Sequence, residues 1–116
     1  MQNTPPEIDY AHFASVEMRI GTIIAAVPFA KARRPAYQLT IDFGAQIGVK
    51  RSSAQITTHY TCAQLIGKQI VAVINFPIKQ IANFFSECLV LGAIQPDGSV
   101  ILLVPDSGAS NGDRIL

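Results

Sequence analysis

The sequence predicts an all-β domain, a small Greek-key barrel of five to six strands with one short helix between strands 3 and 4. Three observations predict it: short alternating or apolar segments recur along the chain, turn residues separate them, and a helix signal interrupts them once. The chain has 116 residues, of which 49% are hydrophobic and 15% charged, and this is the length and composition of one folded domain.

The first three predicted strands lead up to the helix. On the first strand, residues 16–24, alternation places Ile20 and Ile24 on one face and Gly21 on the other. A glycine within a strand indicates a bend or a bulge. The second strand, residues 37–43, alternates cleanly, and the third, residues 48–56, is more polar.

The helix signal lies after the third strand. Thr61 is placed to cap a helix, Gln64 to complete a capping box, and Gly67 to end the helix in a left-handed conformation. The resulting helix has only about one and a half turns. We therefore expect it to fill a gap in the barrel.

The second half of the chain supplies the remaining strands, at residues 69–76, 89–94 and 100–104. A polar loop at residues 78–87 and a turn at 96–98 separate them. Three strands, a helix and two closing strands form the element order of the OB-fold. We assign residues 13–116 to this barrel and expect residues 1–12 to pack on it or on a partner subunit.

The sixth predicted strand indicates a homodimer, because it is apolar on both faces whereas the outer face of a small barrel normally alternates. A two-fold contact would cover this strand with its own copy. The alternative is a strand covered by the N-terminal segment of the same chain. The expected dimer interface consists of Val100, Ile101, Leu102, Leu103, Val104, Ile115 and Leu116.

Charge is distributed unevenly along the chain. The net charge is only +1, but residues 28–86 carry seven Lys or Arg against Asp42 alone, and the rest of the chain is net acidic. A basic region of this kind can bind a polyanion, or its charges can be ordinary solvated loop charges.

No catalytic or metal-binding pattern is recognisable, so we expect a non-enzymatic binding protein without a cofactor or metal. Cys62, Cys88, His12 and His59 lack metal-ligand spacing. No nucleophile motif, P-loop or dinucleotide fingerprint occurs. The chain has neither an apolar run long enough to cross a membrane nor a signal-peptide pattern, so we expect a cytoplasmic protein without membrane insertion.

The remaining polar residues predict an RNA-binding face. The loop after the first strand, the third strand and the loop before the fifth strand surround the ligand face of an OB barrel. Lys and Arg neutralise phosphates, Ser and Asn donate to phosphate or sugar oxygens, and an exposed aromatic ring stacks on a base. Of Phe84 and Phe85 we expect one to be buried and the other partly exposed. The candidate RNA-binding residues are Lys31, Arg33, Arg34, Lys50, Arg51, Ser52, Ser53, Lys79, Asn83, Phe84 and Ser86.

Five blocks of sequence, in order, resemble a known family. They are FASVEMRIGTI, ARRPAYQLTIDFG, VKRSSAQIT, LIGKQIVAVINFP and SECLVLGA. Together they are similar to the CsaA-type secretion chaperones of the tRNA-binding domain family. That family also includes C-terminal domains of bacterial methionyl-tRNA synthetases and an N-terminal part of the phenylalanyl-tRNA synthetase β subunit. The resemblance covers residues 10–116.

The resemblance implies an OB-fold homodimer that binds tRNA by backbone and shape, together with a chaperone role in protein export. The expected partners are therefore tRNA and unfolded preproteins. Two alternatives stay open: a peptide-binding export chaperone whose tRNA binding is incidental, and a dimeric adaptor for another tRNA-handling protein. The family's binding face maps onto the candidate residues given above, although Asn83, Phe84 and Phe85 stand where basic or small residues are more common.

Overall fold

A computed structural model of the protein describes residues 4–116, and strands dominate it as predicted. The helices are α1 (Tyr10–Ala14) and α2 (Cys62–Leu65). The strands are β1 (Met18–Pro28), β2 (Tyr37–Asp42), β3 (Val49–Ala54), β4 (Gln69–Val73), β5 (Lys79–Ile81), β6 (Phe84–Ser86), β7 (Leu89–Val90), β8 (Gly92–Ile94) and β9 (Val100–Leu102). No helix within the described range is long and apolar enough to span a membrane.

The main sheet has the antiparallel strand order β3-β2-β1-β4-β7, and its two ends meet. The Glu87 amide donates to the Arg51 carbonyl at 2.8 Å, and the Ser52 hydroxyl donates to the Cys88 carbonyl at 2.8 Å. The sheet is therefore a nearly closed barrel. With α2 between β3 and β4, it confirms the predicted OB-fold.

The main core fills the inside of this barrel. Ile23, Leu39, Ile41 and Phe43 are almost fully buried there, and Leu65 of α2 belongs to the same cluster. Burial of each such side chain stabilises the fold by roughly 1.5–3 kcal/mol. The short helix thus contributes to the core of the barrel, as expected from its length.

The signals predicted for α2 are confirmed. The hydroxyl of Thr61 accepts from the Gln64 amide at 3.2 Å, and the Gln64 side-chain oxygen accepts from the Thr61 amide at 2.9 Å. This reciprocal pair is a capping box. Gly67 has φ +87°, the left-handed conformation that a residue ending a helix favours.

The faces predicted for the first strand are only partly right. Ile20 is buried as the apolar face predicts, but Ile23 lies in the core and Ile24 is 48% exposed, at the point where the β1–β2 register shifts between Ile23 and Ala25. Gly21 also faces the core, since a Cβ there would lie 2.6 Å from the Ile41 Cγ2 atom. The glycine therefore permits close packing, and the bulge falls after it.

The polar loop predicted at residues 78–87 contains a β-hairpin. β5 and β6 are antiparallel, with Ile81 opposite Phe84. Ala82, in the turn between them, has φ +54°, so a turn usually marked by Gly or Asn carries Ala here. The predicted fifth strand is also divided: β7 completes the main sheet, and β8 pairs with β9 in a separate hairpin.

The C-terminal tail completes one edge of β1. β2 pairs with β1 only from Thr22 onward. Along the preceding part of β1, the Gly112 amide donates to the Ile20 carbonyl at 2.7 Å and the Ile115 amide to the Met18 carbonyl at 3.0 Å. Segments far apart in sequence therefore share one sheet edge.

The N-terminal segment is anchored only near its junction with the barrel. The Asn75 side chain donates to the Ser15 carbonyl at 2.8 Å and accepts from the Glu17 amide at 3.0 Å. Residues 4–12 are exposed in the single chain. Residues 1–3 of the predicted segment lie outside the described residues, and packing of the segment on the barrel or on a partner subunit stays a prediction.

Candidate nucleic-acid interface

Three elements form an open groove on the outside of the barrel: the loop between β1 and β2, the end of β3, and the β5–β6 hairpin. Its volume is about 930 Å³. We call it the basic groove, and its lining residues are Lys31, Ala32, Arg33, Arg34, Ala36, Ser53, Gln55, Lys79, Gln80, Ile81 and Ala82. Five of the predicted RNA-binding residues therefore lie together, although they come from three separate segments of the chain.

A second apolar cluster, separate from the main core, supports the walls of this groove. Phe29, Ala36 and Phe84 are buried in it, and Ala32 and Ile81 pack against them. Phe29 and Ala36 stand at the two ends of the β1–β2 loop, where the Phe29 amide donates to the Ala36 carbonyl at 3.0 Å. Since Phe84 belongs to the hairpin, the cluster joins the loop to the hairpin.

The cations of the basic groove have no carboxylate partner. Within residues 4–116, both ion pairs are made by Glu17, with Arg19 at 2.9 Å and Arg114 at 3.6 Å, on the far part of β1. Among the lining residues there are four Lys or Arg and no Asp or Glu. A concave surface lined by one sign of charge concentrates the field and attracts polyanions.

β3 extends this positive surface with Arg51. The two-residue repeat of the strand places Arg51 and Ser53 on its outer face, about 7 Å apart along the chain. Arg51 is exposed, and its guanidinium carbon lies 4.3 Å from the centroid of the Phe84 ring, a cation–π contact. Arg51 therefore lies beside the basic groove and is held by the second apolar cluster.

Ser52 and Lys50 stand on the other face of β3 from Arg51, and the burial of Ser52 corrects it as a predicted contact position. Ser52 is fully buried, and its hydroxyl is committed to the Cys88 carbonyl, so it has no donor left for a phosphate. Lys50 shares the strand face of Ser52 and lies near Cys88, away from the outer face that carries Arg51. Neighbouring residues of β3 therefore point to opposite faces of the sheet. The sequence does not show which face is which, because this strand is polar on both.

The residues of the hairpin divide between contact positions and structural ones. Phe84 is 2% exposed and Phe85 54% exposed, which confirms that one ring is buried but corrects Phe84 as a contact residue. Asn83 is exposed at the turn. The Ser86 hydroxyl accepts from the Ser53 amide at 3.1 Å, so it fastens the hairpin to β3.

The thiols do not form a reactive site. Burial raises the pKa of the Cys88 thiol to about 11. A hydrogen bond with Ser52 lowers this pKa by a smaller amount, and the charge of Glu87 raises it. A thiol with this pKa stays protonated at neutral pH and is a poor nucleophile. Cys62 is half-buried. In the part of the chain that the structure describes, no three His, Cys, Asp or Glu residues are arranged to hold a metal ion.

A serine and a histidine do meet, at a contact that the sequence did not reveal, but they are not a nucleophile–base pair. The Ser99 hydroxyl lies 2.5 Å from the Asp97 carboxylate and 2.8 Å from the His59 Nε2 atom. The hydrogen bonds from Ser99 lower the pKa of Asp97, so the hydroxyl proton is directed to the carboxylate. The Ser99 proton is therefore not directed at His59, as the activation of a nucleophile would require.

The residues of the predicted dimer interface differ in exposure. Leu102 is buried in the main core, whereas Ile101, Leu103, Val104 and Leu116 are exposed. β9 therefore contributes one face to the core and leaves an apolar face uncovered in the single chain. This is the arrangement from which the sequence predicted a symmetric partner.

The fold and the groove together describe a binding domain, and comparison with known proteins gives its class. The family model described as "Putative tRNA binding domain" matches residues 18–114. The chain therefore belongs to the tRNA-binding domain family. The description of this family is that of a binding domain.

Within that family the chain is of the CsaA type. It is 53% identical to a CsaA chaperone protein from Picrophilus torridus, with a TM-score of 0.88, and the match covers 95% of this chain and 100% of that one. It is 48% identical to chaperone CsaA from Bacillus anthracis, with a TM-score of 0.91, over 96% of this chain and 100% of that one.

Methionine–tRNA ligases share the same domain. The ligase of Acidithiobacillus ferrooxidans is 36% identical over 110 residues, and that of Chlorobium chlorochromatii is 29% identical over 110 residues. Each match covers 95% of this chain but only 16% and 15% of the respective ligase. The similarity therefore concerns one part of these much longer proteins.

Proposed function

We propose that the protein binds tRNA through the basic groove without catalysing a reaction, and that it acts as a cytoplasmic homodimer. The observation that carries this proposal is the convergence of Lys31, Arg33, Arg34 and Lys79 on one concave surface without a carboxylate. Arg51 adds a fifth cation beside it. Membership of the tRNA-binding domain family identifies tRNA as the polyanion.

The groove favours recognition of the RNA backbone over reading of bases. Its cations neutralise phosphates, and Ser53, Gln55 and Gln80 offer donors for phosphate or ribose oxygens. Such contacts orient an RNA and carry little sequence information. The 2′-hydroxyl, which DNA lacks, is the group by which polar side chains of this kind distinguish RNA from DNA.

Salt dependence tests the number of phosphate contacts. Neutralisation of a phosphate contributes roughly 0.7–0.9 to the slope of log K against log salt, so five cations predict a slope of about −4. The measurement is fluorescence anisotropy of labelled tRNA titrated with protein over a series of KCl concentrations. A shallow slope would contradict binding through these five side chains.

Removal of the groove cations tests where the RNA binds. Replacing Arg33, Arg34, Arg51 and Lys79 together by Ala should abolish measurable tRNA binding, because most of the counterion release is lost. Thermal unfolding should stay near that of the unmodified protein, since none of these side chains makes an ion pair among the described residues.

The matched control removes cations that lie elsewhere. Lys50 is on the inner face of β3, and Lys68 lines a separate depression beside residues 104–108. The Lys50→Ala/Lys68→Ala double variant should therefore retain tRNA affinity. If this control weakens binding as much as the groove variant does, overall charge rather than the groove is responsible, and the proposed site is wrong.

The homodimer rests on the apolar face left uncovered by β9. A symmetric contact would bury Ile101, Leu103 and Val104 against the same residues of a second copy. Ile101→Lys should produce a folded monomer in sedimentation measurements, because this side chain is exposed in the single chain. An unmodified protein that sediments as a monomer at micromolar concentration would refute the dimer.

Chaperone activity in protein export is the second candidate function, with unfolded preproteins as ligands. Its supporting observation is a group of exposed apolar side chains in and before the β5–β6 hairpin: Phe76, Ile78 and Phe85. The CsaA proteins that resemble this chain are described as chaperones. Apolar surface of this kind fits extended, partly unfolded chains.

Suppression of aggregation tests this second function. The protein should slow the aggregation of a chemically denatured client, with little dependence on moderate salt, and the Ile78→Ser/Phe85→Ser variant should slow it less. Competition by tRNA would show that one surface serves both ligands. A client that aggregates equally fast with and without the protein excludes the chaperone function.

A further inference from the structure

We infer that Phe84 is a positioning residue for RNA binding, whose buried ring holds the Arg51 guanidinium over the outer face of β3. The inference rests on the proposed tRNA function and goes beyond it. Phe84 itself is 2% exposed, so it offers no surface for contact with a ligand. Its effect on binding must therefore pass through the side chain that lies on it.

The position of the ring is fixed by its neighbours. Its centroid lies 5.3 Å from that of Phe29, with the two planes inclined by 58°, a favourable aromatic arrangement. Ala36 and Ile81 complete the surrounding apolar cluster. Because the cluster also joins the β1–β2 loop to the hairpin, the ring provides a rigid support at the point where the three cation-bearing elements meet.

Arg51 rests on this support without using its hydrogen-bonding groups. Its guanidinium carbon is 4.3 Å from the ring centroid, and contact with a ring face consumes none of the five N–H donors. Glu87 lies opposite Arg51 where the barrel closes. Its carboxylate accepts from the backbone amide of Arg51 at 2.8 Å and forms no ion pair with the guanidinium. The guanidinium makes no ion pair with any residue of 4–116, so its donors remain available for a bidentate phosphate contact.

A support of this kind strengthens binding by holding the cation in place beforehand. A long flexible side chain loses rotamer freedom when it binds a phosphate, and one that is already ordered loses less. Cation–π contacts at exposed sites correspond to an effect of about two- to fivefold in an equilibrium constant. We expect a change of that size in tRNA affinity when the aromatic face is removed.

The test is a double-mutant cycle on tRNA affinity. Phe84→Leu keeps an apolar side chain in the cluster but removes the aromatic face, and it should weaken tRNA binding about two- to fivefold. In an Arg51→Ala background the same substitution should change the affinity little, because the side chain that it positions is gone. Phe84→Met is the second variant where Phe84→Leu impairs folding, which thermal unfolding monitors.

Phe43→Leu is the matched control. It makes the same chemical change at a ring buried in the main core, outside the cluster that lies beneath Arg51, so the tRNA affinity of the folded protein should stay near that of the unmodified protein. Equal loss from Phe43→Leu and Phe84→Leu, or a full effect of Phe84→Leu in the Arg51→Ala background, would overturn the inference. If the unmodified protein fails to bind tRNA, the proposed function itself fails. If it binds with steep salt dependence and Phe84→Leu has no effect, only the positioning role fails.

Discussion

The barrel and the basic groove are built on two apolar clusters of very different size. Among the described residues, the main core contains eleven buried residues drawn from strands, from α2 and from the segments between them, whereas the cluster beneath the groove contains three. The hairpin that forms one groove wall consists of two strands of three residues each. The comparison indicates that most of the free energy of unfolding comes from the barrel, whereas the small cluster shapes the proposed binding site.

The largest expected effect lies in the barrel. A methyl group added at Gly21 would lie 2.6 Å from the Ile41 Cγ2 atom and 2.7 Å from the Phe43 Cδ1 atom, both in the main core. Gly21→Ala should therefore lower the free energy of unfolding by about 3 kcal/mol through overpacking, measured by urea denaturation. The tRNA affinity of the molecules that remain folded should not change.

Gly108 provides the control for this substitution, because nothing lies within 4 Å of a methyl group added there. Gly108→Ala should leave the unfolding free energy nearly unchanged. If Gly21→Ala were equally harmless, the close approach of β1 to β2 would not be a constraint on the barrel.

High pH offers a second way to separate the barrel from the groove. Burial in the folded state raises the pKa of the Cys88 thiol from its ordinary value of 9.0 to about 11. Between these values the unfolded state binds fewer protons, so the stability of the folded state falls as pH rises. The fully developed loss is about 2–3 kcal/mol.

Comparison of variants isolates this contribution from other titrating groups. The unmodified protein and Cys88→Ala should converge in unfolding free energy as pH rises from about 9 to 11. Cys62→Ala should keep the pH dependence of the unmodified protein. Parallel curves for the unmodified protein and Cys88→Ala would show that burial does not perturb this thiol.

A smaller effect is expected at the tail, where two cations pair with one carboxylate. Glu17 is the partner of both Arg19 and Arg114, and all three side chains remain partly exposed. Glu17→Gln should therefore reduce the unfolding free energy by less than about 1 kcal/mol, with a reduced difference at high salt. Asp106→Asn, at an exposed acid without an ion pair among the described residues, is the control and should have no such salt-dependent effect.

The smallest effect, and the one of opposite sign, belongs to the hairpin turn. Ala82 has φ +54°, a conformation that disfavours a Cβ. Ala82→Gly should stabilise the hairpin by about 0.5 kcal/mol, seen as slower amide hydrogen exchange in β5 and β6. Ala45→Gly, at an exposed residue that does not have a positive φ, should not stabilise its turn, and equal gains from both would show that backbone strain is not the cause.

The sequence predicted the OB-fold and the caps of α2 because these depend on local patterns. Thr61 and Gln64 act on each other across three positions, the left-handed conformation of Gly67 is a property of the residue itself, and the alternation in β2 is uninterrupted. The bulge after Ile23 was not predictable in this way, because a single extra residue reverses the faces of a strand without changing its composition. The hairpin turn was missed because Ala82, at the position with a positive φ, is not a residue typical of turns, and Asn83 alone is a weak signal.

The sequence predicted the cations of the basic groove as a group, but it did not predict which neighbouring side chains are exposed and which are buried. The loop residues Arg33 and Arg34 had to be exposed wherever the loop lay, since long cationic side chains are rarely buried. Ser52 and Phe84 were placed in the binding set by their position in the chain alone. Their burial follows from the closure of β3 against residues 86–88 and from packing against Phe29, and both depend on contacts between distant segments.

The shared edge of β1 has a consequence for how the chain acquires its structure. Arg19 donates to the Gly112 carbonyl at 2.9 Å across 93 positions in sequence, so this edge cannot be satisfied by local pairing. Domains dominated by such non-local contacts fold on the millisecond-to-second timescale, much more slowly than helical bundles. Until residues 112–115 arrive, the first half of β1 presents an open row of amide and carbonyl groups, which is the part of the nascent domain most prone to intermolecular strand pairing.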